Sequence, residues 1–279
     1  MNGARSPADK RGFLVAYPNG TGFLKYLTWN VGGNCCGSAL KGEVDDVAFL
    51  LAIVEDVRRA AHIDVRRVYV AGFSDGGMLA FRAACDAADK IAAIGVVAGR
   101  MPDISCKPKR PVPLIIFTGS KDPDVNTDFD RYITPQSFGY ARGVDSTLAF
   151  WTHMNGCAAA PALVMEGRHV RRTWRQCRAR SRVVSYTVTD AAHEWPGAKR
   201  DGSDNGTVRD LSATEHMLDF FGPRQLARPN PRRPRSAPAA LVRKDTVSVR
   251  RNVNEVEIKP VAPSTQTKVE VQRESFQPE

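Results

Sequence analysis

The chain has 279 residues, 42% of them hydrophobic and 25% charged, enough to bury a full core in one or two domains. No apolar run approaches the roughly 20 residues of a membrane-spanning helix, and the first eleven residues lack the apolar stretch of an export signal. The formal charge of +10 is uneven: with 12 Lys/Arg against 6 Asp/Glu, the segment from Pro223 to Glu279 carries +6 of it, so the rest of the chain is only mildly basic.

Met1 to Lys10 is polar, helical or loose. Phe13 to Tyr17 is a continuous apolar run, the pattern of a strand buried on both faces, and Pro18-Asn19-Gly20 ends it in a turn. From Thr21 to Gly42 glycine, asparagine and aromatics follow no period, which predicts a long surface loop of functional character. Glu43 to Ala61 predicts a helix, because Val44, Val47, Leu50, Leu51, Val54 and Val57 recur at three- and four-residue steps. A short strand at Val68 to Val70 then meets Gly72-x-Ser74-x-Gly76, and helix formers follow to about Asp86. Ile91 to Ala98 and Leu114 to Thr118 are two more buried strands. Their alternation with helices predicts a parallel sheet covered on both faces, a three-layer α/β architecture.

Gly119 to Tyr140 is polar and rich in turns. Val144 to Met154 predicts a helix stopped at Asn155-Gly156, and Val183 to Thr189 a last strand. Ser212-x-x-Glu215 is a capping box for a final helix that ends at Gly222-Pro223. The expected domain therefore covers residues 1–222. Residues 223–279 hold eight of the 18 prolines and one aromatic, Phe276, too little apolar surface to offset the entropy of ordering, so a disordered basic tail is expected.

Strand, sharp turn and helix form the context in which G-x-S-x-G is a nucleophile elbow. The glycines let the backbone turn tightly, Ser74 Oγ is lifted clear of the sheet, and the backbone N–H of Asp75 faces a developing oxyanion. Such a serine needs a base and the base an orienting carboxylate, following in the order Ser, acid, His. Asp122 lies four residues beyond one predicted strand and His193 four beyond the last; Asp124 is the rival acid. His62, His153, His169 and His216 fall on helices or in a basic hairpin-like segment, positions where a histidine is more often a surface or packing residue. The six cysteines are even in number with no C-x-x-C spacing, which favours disulfides over zinc and an oxidising compartment over the cytosol.

Five motifs now agree in order and spacing: Trp29-Asn30-x-Gly32-Gly33-x-Cys35-Cys36-Gly37, Val44-Asp45-Asp46-Val47, Gly72-Phe73-Ser74-Asp75-Gly76-Gly77-Met78, Asn155-Gly156-Cys157, and His193-x-Trp195-Pro196-Gly197. Together they resemble the polyhydroxybutyrate depolymerase and feruloyl esterase family of secreted α/β-hydrolases, over about Met1 to Phe221. The resemblance implies Ser74 as nucleophile, Asp122 as acid and His193 as base, cleaving polyesters or feruloyl and acetyl esters of polysaccharides through an acyl-enzyme, with no metal or cofactor. It implies that Trp29, Asn30 and Trp195 border the substrate, that the protein is extracellular or periplasmic, and that the cysteines pair. Cys157 with Cys177, bracketing a hairpin-like segment, is the favoured pair, and Cys35, Cys36, Cys85 and Cys106 stay open.

The chain departs from the family where Asp75 stands for asparagine, where Thr118-Gly119-Ser120 stands for His-Gly-Thr, and where Asp190, Ala191 and Ala192 stand for glycines. The family's first three strands, the third with a loop that completes the oxyanion hole, have no counterpart, so an N-terminally shortened copy is expected. The alternative function is a catalytically impaired remnant whose basic tail serves as an interaction arm; nucleic-acid binding and membrane insertion are not expected, and nothing sets an oligomeric state.

Overall fold

The computed structural model describes residues 7–24, 26–123, 141–158, 160–198 and 210–227. In chain order these form α1 (Pro7–Lys10), β1 (Thr21–Phe23), β2 (Tyr26–Thr28), α2 (Gly37–Lys41), α3 (Asp46–Ala60), β3 (Tyr69–Phe73), α4 (Asp75–Asp86), β4 (Ala93–Val97) and β5 (Met101–Pro102). There follow β6 (Leu114–Gly119), β7 (Ala141–Arg142), α5 (Val144–Met154), β8 (Ala162–Glu166), β9 (His169–Trp174), β10 (Val183–Val188) and α6 (Ala213–Phe221). The main sheet has the order β3-β4-β6-β10-β9-β8, with β3, β4, β6 and β10 parallel and the β8–β9 hairpin antiparallel at one end.

Side chains alternate across a strand, so the near-continuous apolar runs feed two cores at once. Ile94, Val96, Leu114 and Ile116 join Phe81 of α4 and Trp151 of α5 on one face. Ala93, Val97, Ile115 and Phe117 join Met217 and Phe221 of α6 on the other. Asp45 caps α3 by accepting from Ala48 N at 2.9 Å, and Ser212 caps α6 by accepting from Glu215 N at 3.3 Å. The Cys157–Cys177 pair expected from the sequence is present. Cys85 pairs with Cys106, tying α4 to the chain that leads into β6, and Cys35 pairs with its neighbour Cys36.

Three expectations need correction. Phe13 to Tyr17 is not a strand: the segment joins no ladder, and Leu14 and Tyr17 are 40% and 71% exposed. Its apolar side chains pack without a ladder: the Phe13 ring lies against Tyr69 of β3, with centroids 5.8 Å apart. The predicted loop from Thr21 to Gly42 contains a hairpin and a short helix, with Thr21 paired to Thr28. The domain also runs past Gly222: Leu226 N donates to Arg66 O at 2.8 Å and Tyr69 OH donates to Arg224 O at 2.5 Å, because an extended segment can satisfy backbone groups at the start of β3. Residues 228–279, most of the expected tail, lie outside the described residues, as do 124–140.

Asn155 follows α5 and is fully buried. Its Oδ1 accepts from Val112 N and its Nδ2 donates to Val112 O, both at 2.9 Å, so one amide replaces a ladder partner just before β6. Asn155→Ala strands both groups of Val112 away from water and is expected to cost about 2–4 kcal/mol. Urea unfolding measures it, and a loss well under about 1 kcal/mol would show that the pairing is dispensable.

Candidate active site

Ser74, Asp122 and His193 each follow the C-terminal end of a parallel strand, β3, β6 and β10, at one rim of the sheet. β3 delivers Phe73, and Ser74 follows with φ 52° and ψ −120°, a left-handed conformation rare for a residue with a Cβ and costing roughly 1–3 kcal/mol. Ser74 N donates to Val97 O at 3.0 Å while Ser74 O already accepts from Met78 N at 3.1 Å, so the residue is both the end of a ladder and the start of α4. The turn is tight enough that a Cβ at Gly72 would stand 2.2 Å from the backbone carbonyl of Gly76. This is the strained strand-to-helix elbow that the motif predicts.

The acid and base loops are stitched to each other. Ser120 N donates to Val188 O and Lys121 N to Ala191 O, both at 2.9 Å, and Asp190 N donates to Ser120 Oγ at 2.8 Å. A Cβ at Gly119 would fall 2.3 Å from Ala191 O, so only glycine lets the two loops approach. The result is that Asp122, 0% exposed, meets His193: Nδ1 of the ring lies 3.2 Å from Oδ1 and 3.1 Å from Oδ2. Residues 71 apart in sequence form a pair in which the carboxylate fixes the tautomer, with Nδ1 donating and Nε2 left as the unprotonated, accepting nitrogen. The other side of the ring packs on Phe73, with centroids 4.8 Å apart. The histidine therefore stands against the residue before Ser74, and its charge is felt at the residue after it, Asp75. Asp124, the rival acid, lies outside the described residues.

Asp75 is half-buried in the first turn of α4. Burial raises its pKa above the ordinary carboxylate value, and the N–H groups of Gly76 and of Asp75 itself, then the charge of His193, pull it back in part. A carboxylate beside a candidate oxyanion donor is an electrostatic cost that the sequence signals in the x position of the elbow.

Trp29 reaches the elbow: a Cβ on Gly76 would have the indole Nε1 as its nearest neighbour, at 3.9 Å. Asn30 is occupied otherwise. Its Oδ1 accepts from Gly32 N at 3.2 Å, its Nδ2 donates to Val44 O at 2.9 Å, and its backbone N–H donates to the buried carboxylate of Asp46 at 2.6 Å. It shapes the loop that carries Trp29, with its amide turned inward. Trp195 packs against the core beneath α6 and donates from Nε1 to Thr214 Oγ1 at 3.1 Å. A cleft of about 380 Å³ bordered by Asn30, Asp46, Arg82 and Asp86 lies beside α3 and α4 and touches neither Ser74 nor His193. The remaining histidines do not join the site: His62 and His153 are exposed, His169 is buried against Glu166 and Tyr186, and His216 stands edge-on to Tyr186 while its ring bonds Ser212 O at 2.9 Å. Sequence reasoning missed the Phe73 ring under His193; an aromatic just before the nucleophile was the available signal.

No family model matches the chain. It is 30% identical to "Putative esterase NocK" of Nocardia uniformis over 242 residues, covering 79% of the chain and 68% of that protein. The chain belongs to the feruloyl esterase-like family. Within that family it is 30% identical to feruloyl esterase B of Piromyces equi over 65% of the chain, and it spans 34% of that longer protein. With the bifunctional acetylxylan esterase/xylanase of Neocallimastix patriciarum it shares 34% identity over 43% of the chain and 16% of that protein. Among solved structures, the acetyl xylan esterase of Aspergillus awamori superposes with a TM-score of 0.50 at 15% identity, over 77% of this chain and 79% of that one, which shows an α/β-hydrolase-like fold.

Proposed function

We propose that this chain is a serine carboxylic-ester hydrolase that removes feruloyl or acetyl groups from polysaccharides. The observation that carries the reading is His193, clamped through Nδ1 by both oxygens of buried Asp122 and packed at a tilt against the ring of the residue that precedes Ser74. In the proposed reaction Nε2 of His193 takes the proton of Ser74 Oγ as the oxygen attacks the ester carbonyl. The oxyanion is met by the N–H of Asp75, and the alcohol leaves with the proton from His193. Water, deprotonated by the same nitrogen, then releases the acid from the acyl-enzyme. Every proton in this sequence moves between Ser74, His193, the leaving alcohol and water, so the reaction as written draws on no metal or cofactor. Trp29, standing over Gly76, offers a flat apolar wall for the acyl group. Three disulfides suit an oxidising compartment and support secretion.

The test is product release from feruloylated arabinoxylan oligosaccharides and acetylated xylan, with a polyhydroxybutyrate suspension assayed alongside. Ferulate or acetate is the expected product, and hydroxybutyrate in its place would move the substrate class to polyesters. No product from any of the three by folded protein overturns the reading in favour of a non-catalytic remnant.

A further inference from the structure

The parallel strands that end at the elbow begin at the opposite rim, and that rim is cationic. Tyr69, Ala93, Leu114 and Val183 align there through the ladders β3-β4-β6-β10, and Trp174 of antiparallel β9 lies beside Val183. The residues just outside this line are Arg67 before β3, Lys90 before β4, Lys109 before β6 and, in the connection from β9 to β10, Arg175, Arg180 and Arg182; all are exposed. The acids nearby are Asp64, paired with Arg66, and Asp89, whose charge acts on Arg110.

Two features set this rim apart from an ordinary solvated surface. The turn carrying Arg178 and Arg180 is held rigidly: Ala179 and Arg180 have φ of 52° and 56°, Ser181 N and Oγ both donate to Arg178 O, Arg178 N donates to Asn155 O, and Cys177 beside it is disulfide-bonded to Cys157. Non-glycine residues kept in this strained region tend to mark functional surfaces. Further along, Arg224 stacks 3.5 Å over Phe220 and its Nε is buried with no hydrogen-bond partner among the described residues. Burial and then the like charge of Arg182 push its pKa down to about 10. A cation desolvated and facing another cation gains from an anion placed between them.

We infer that the strand-start rim, with Arg175, Arg180, Arg182 and Arg224 at its centre, is a docking surface for carboxylate-bearing polysaccharide. The choice of polymer rests on the proposed function; the cationic rim does not. Guanidinium forks match carboxylates in geometry. Strands of five or six residues put the rim about 17–20 Å from the elbow, so a chain held there leaves the ester site open and raises its local substrate concentration.

The experiment uses the full chain and polygalacturonate. The triple variant Arg175→Gln, Arg180→Gln, Arg182→Gln is expected to bind it about tenfold more weakly at about 0.05 M salt, and binding by the wild type should vanish near 0.5 M. Turnover of a soluble p-nitrophenyl ester should stay unchanged in the variant. Equal affinity of variant and wild type overturns the proposal, as does tighter binding of a DNA duplex than of polygalacturonate at the same ionic strength. Should the wild type hydrolyse no ester yet bind polygalacturonate through these arginines, the docking surface stands and the esterase reading fails; hydrolysis without binding is the reverse.

Discussion

Ser74→Ala should lower kcat on a soluble ester by about 10⁴- to 10⁶-fold, and His193→Ala by a similar factor. The reason for the size is that the hydroxyl and the imidazole act as one unit: without the base the serine is a poor nucleophile, and without the serine the base has no positioned proton to take. The double variant is therefore expected to be no slower than either single one. Folding is not the cause, since alanine is as strained as serine at φ 52° and the backbone bonds to Val97 and Met78 remain. Thermal unfolding within about 2 °C of wild type would confirm that the loss is chemical. If either single variant keeps a tenth of the activity, another nucleophile or base is at work.

Much of this site is readable in the chain because its parts are local. Gly72-x-Ser74-x-Gly76 between a strand and a helix defines the elbow without reference to anything distant, and Asp122 and His193 each follow a strand made plain by its residues, an apolar run before the first and β-branched alternation before the second. What brings those two together is not local. It is the contact of Gly119 with Ala191, which depends on β6 and β10 being neighbours, an order that no spacing in the sequence specifies. Phe13 to Tyr17 fails for the complementary reason: an apolar run states that side chains will pack, and here Phe13 packs on Tyr69 through its ring with no ladder formed. The hydrogen bonds of Asn30 to Val44 and of Trp195 to Thr214 are likewise pairings between separate segments that the motifs do not specify. The strand-start rim went unnoticed because its arginines and lysines are scattered between residues 67 and 224 and become neighbours only through the sheet register.

Asp122→Asn is expected to reduce kcat by roughly 10³- to 10⁴-fold while leaving KM for a small ester nearly unchanged. The present carboxylate accepts from Nδ1 through two oxygens, and in the proposed reaction it stabilises the imidazolium formed when His193 takes the serine proton. An asparagine in the same place offers one oxygen and one NH₂. With the NH₂ turned toward the ring, Nδ1 must accept, the proton moves to Nε2, and the nitrogen proposed to take the serine proton is no longer a base. With the oxygen toward the ring the tautomer is right, but the charge opposite the imidazolium is gone. Both arrangements slow the chemical step without touching substrate contacts, which is why kcat rather than KM should change. The comparison that decides the assignment is Asp124→Asn. It should keep activity within about threefold of wild type if Asp122 is the acid, whereas a collapse in Asp124→Asn with Asp122→Asn active would transfer the role to the rival two residues on.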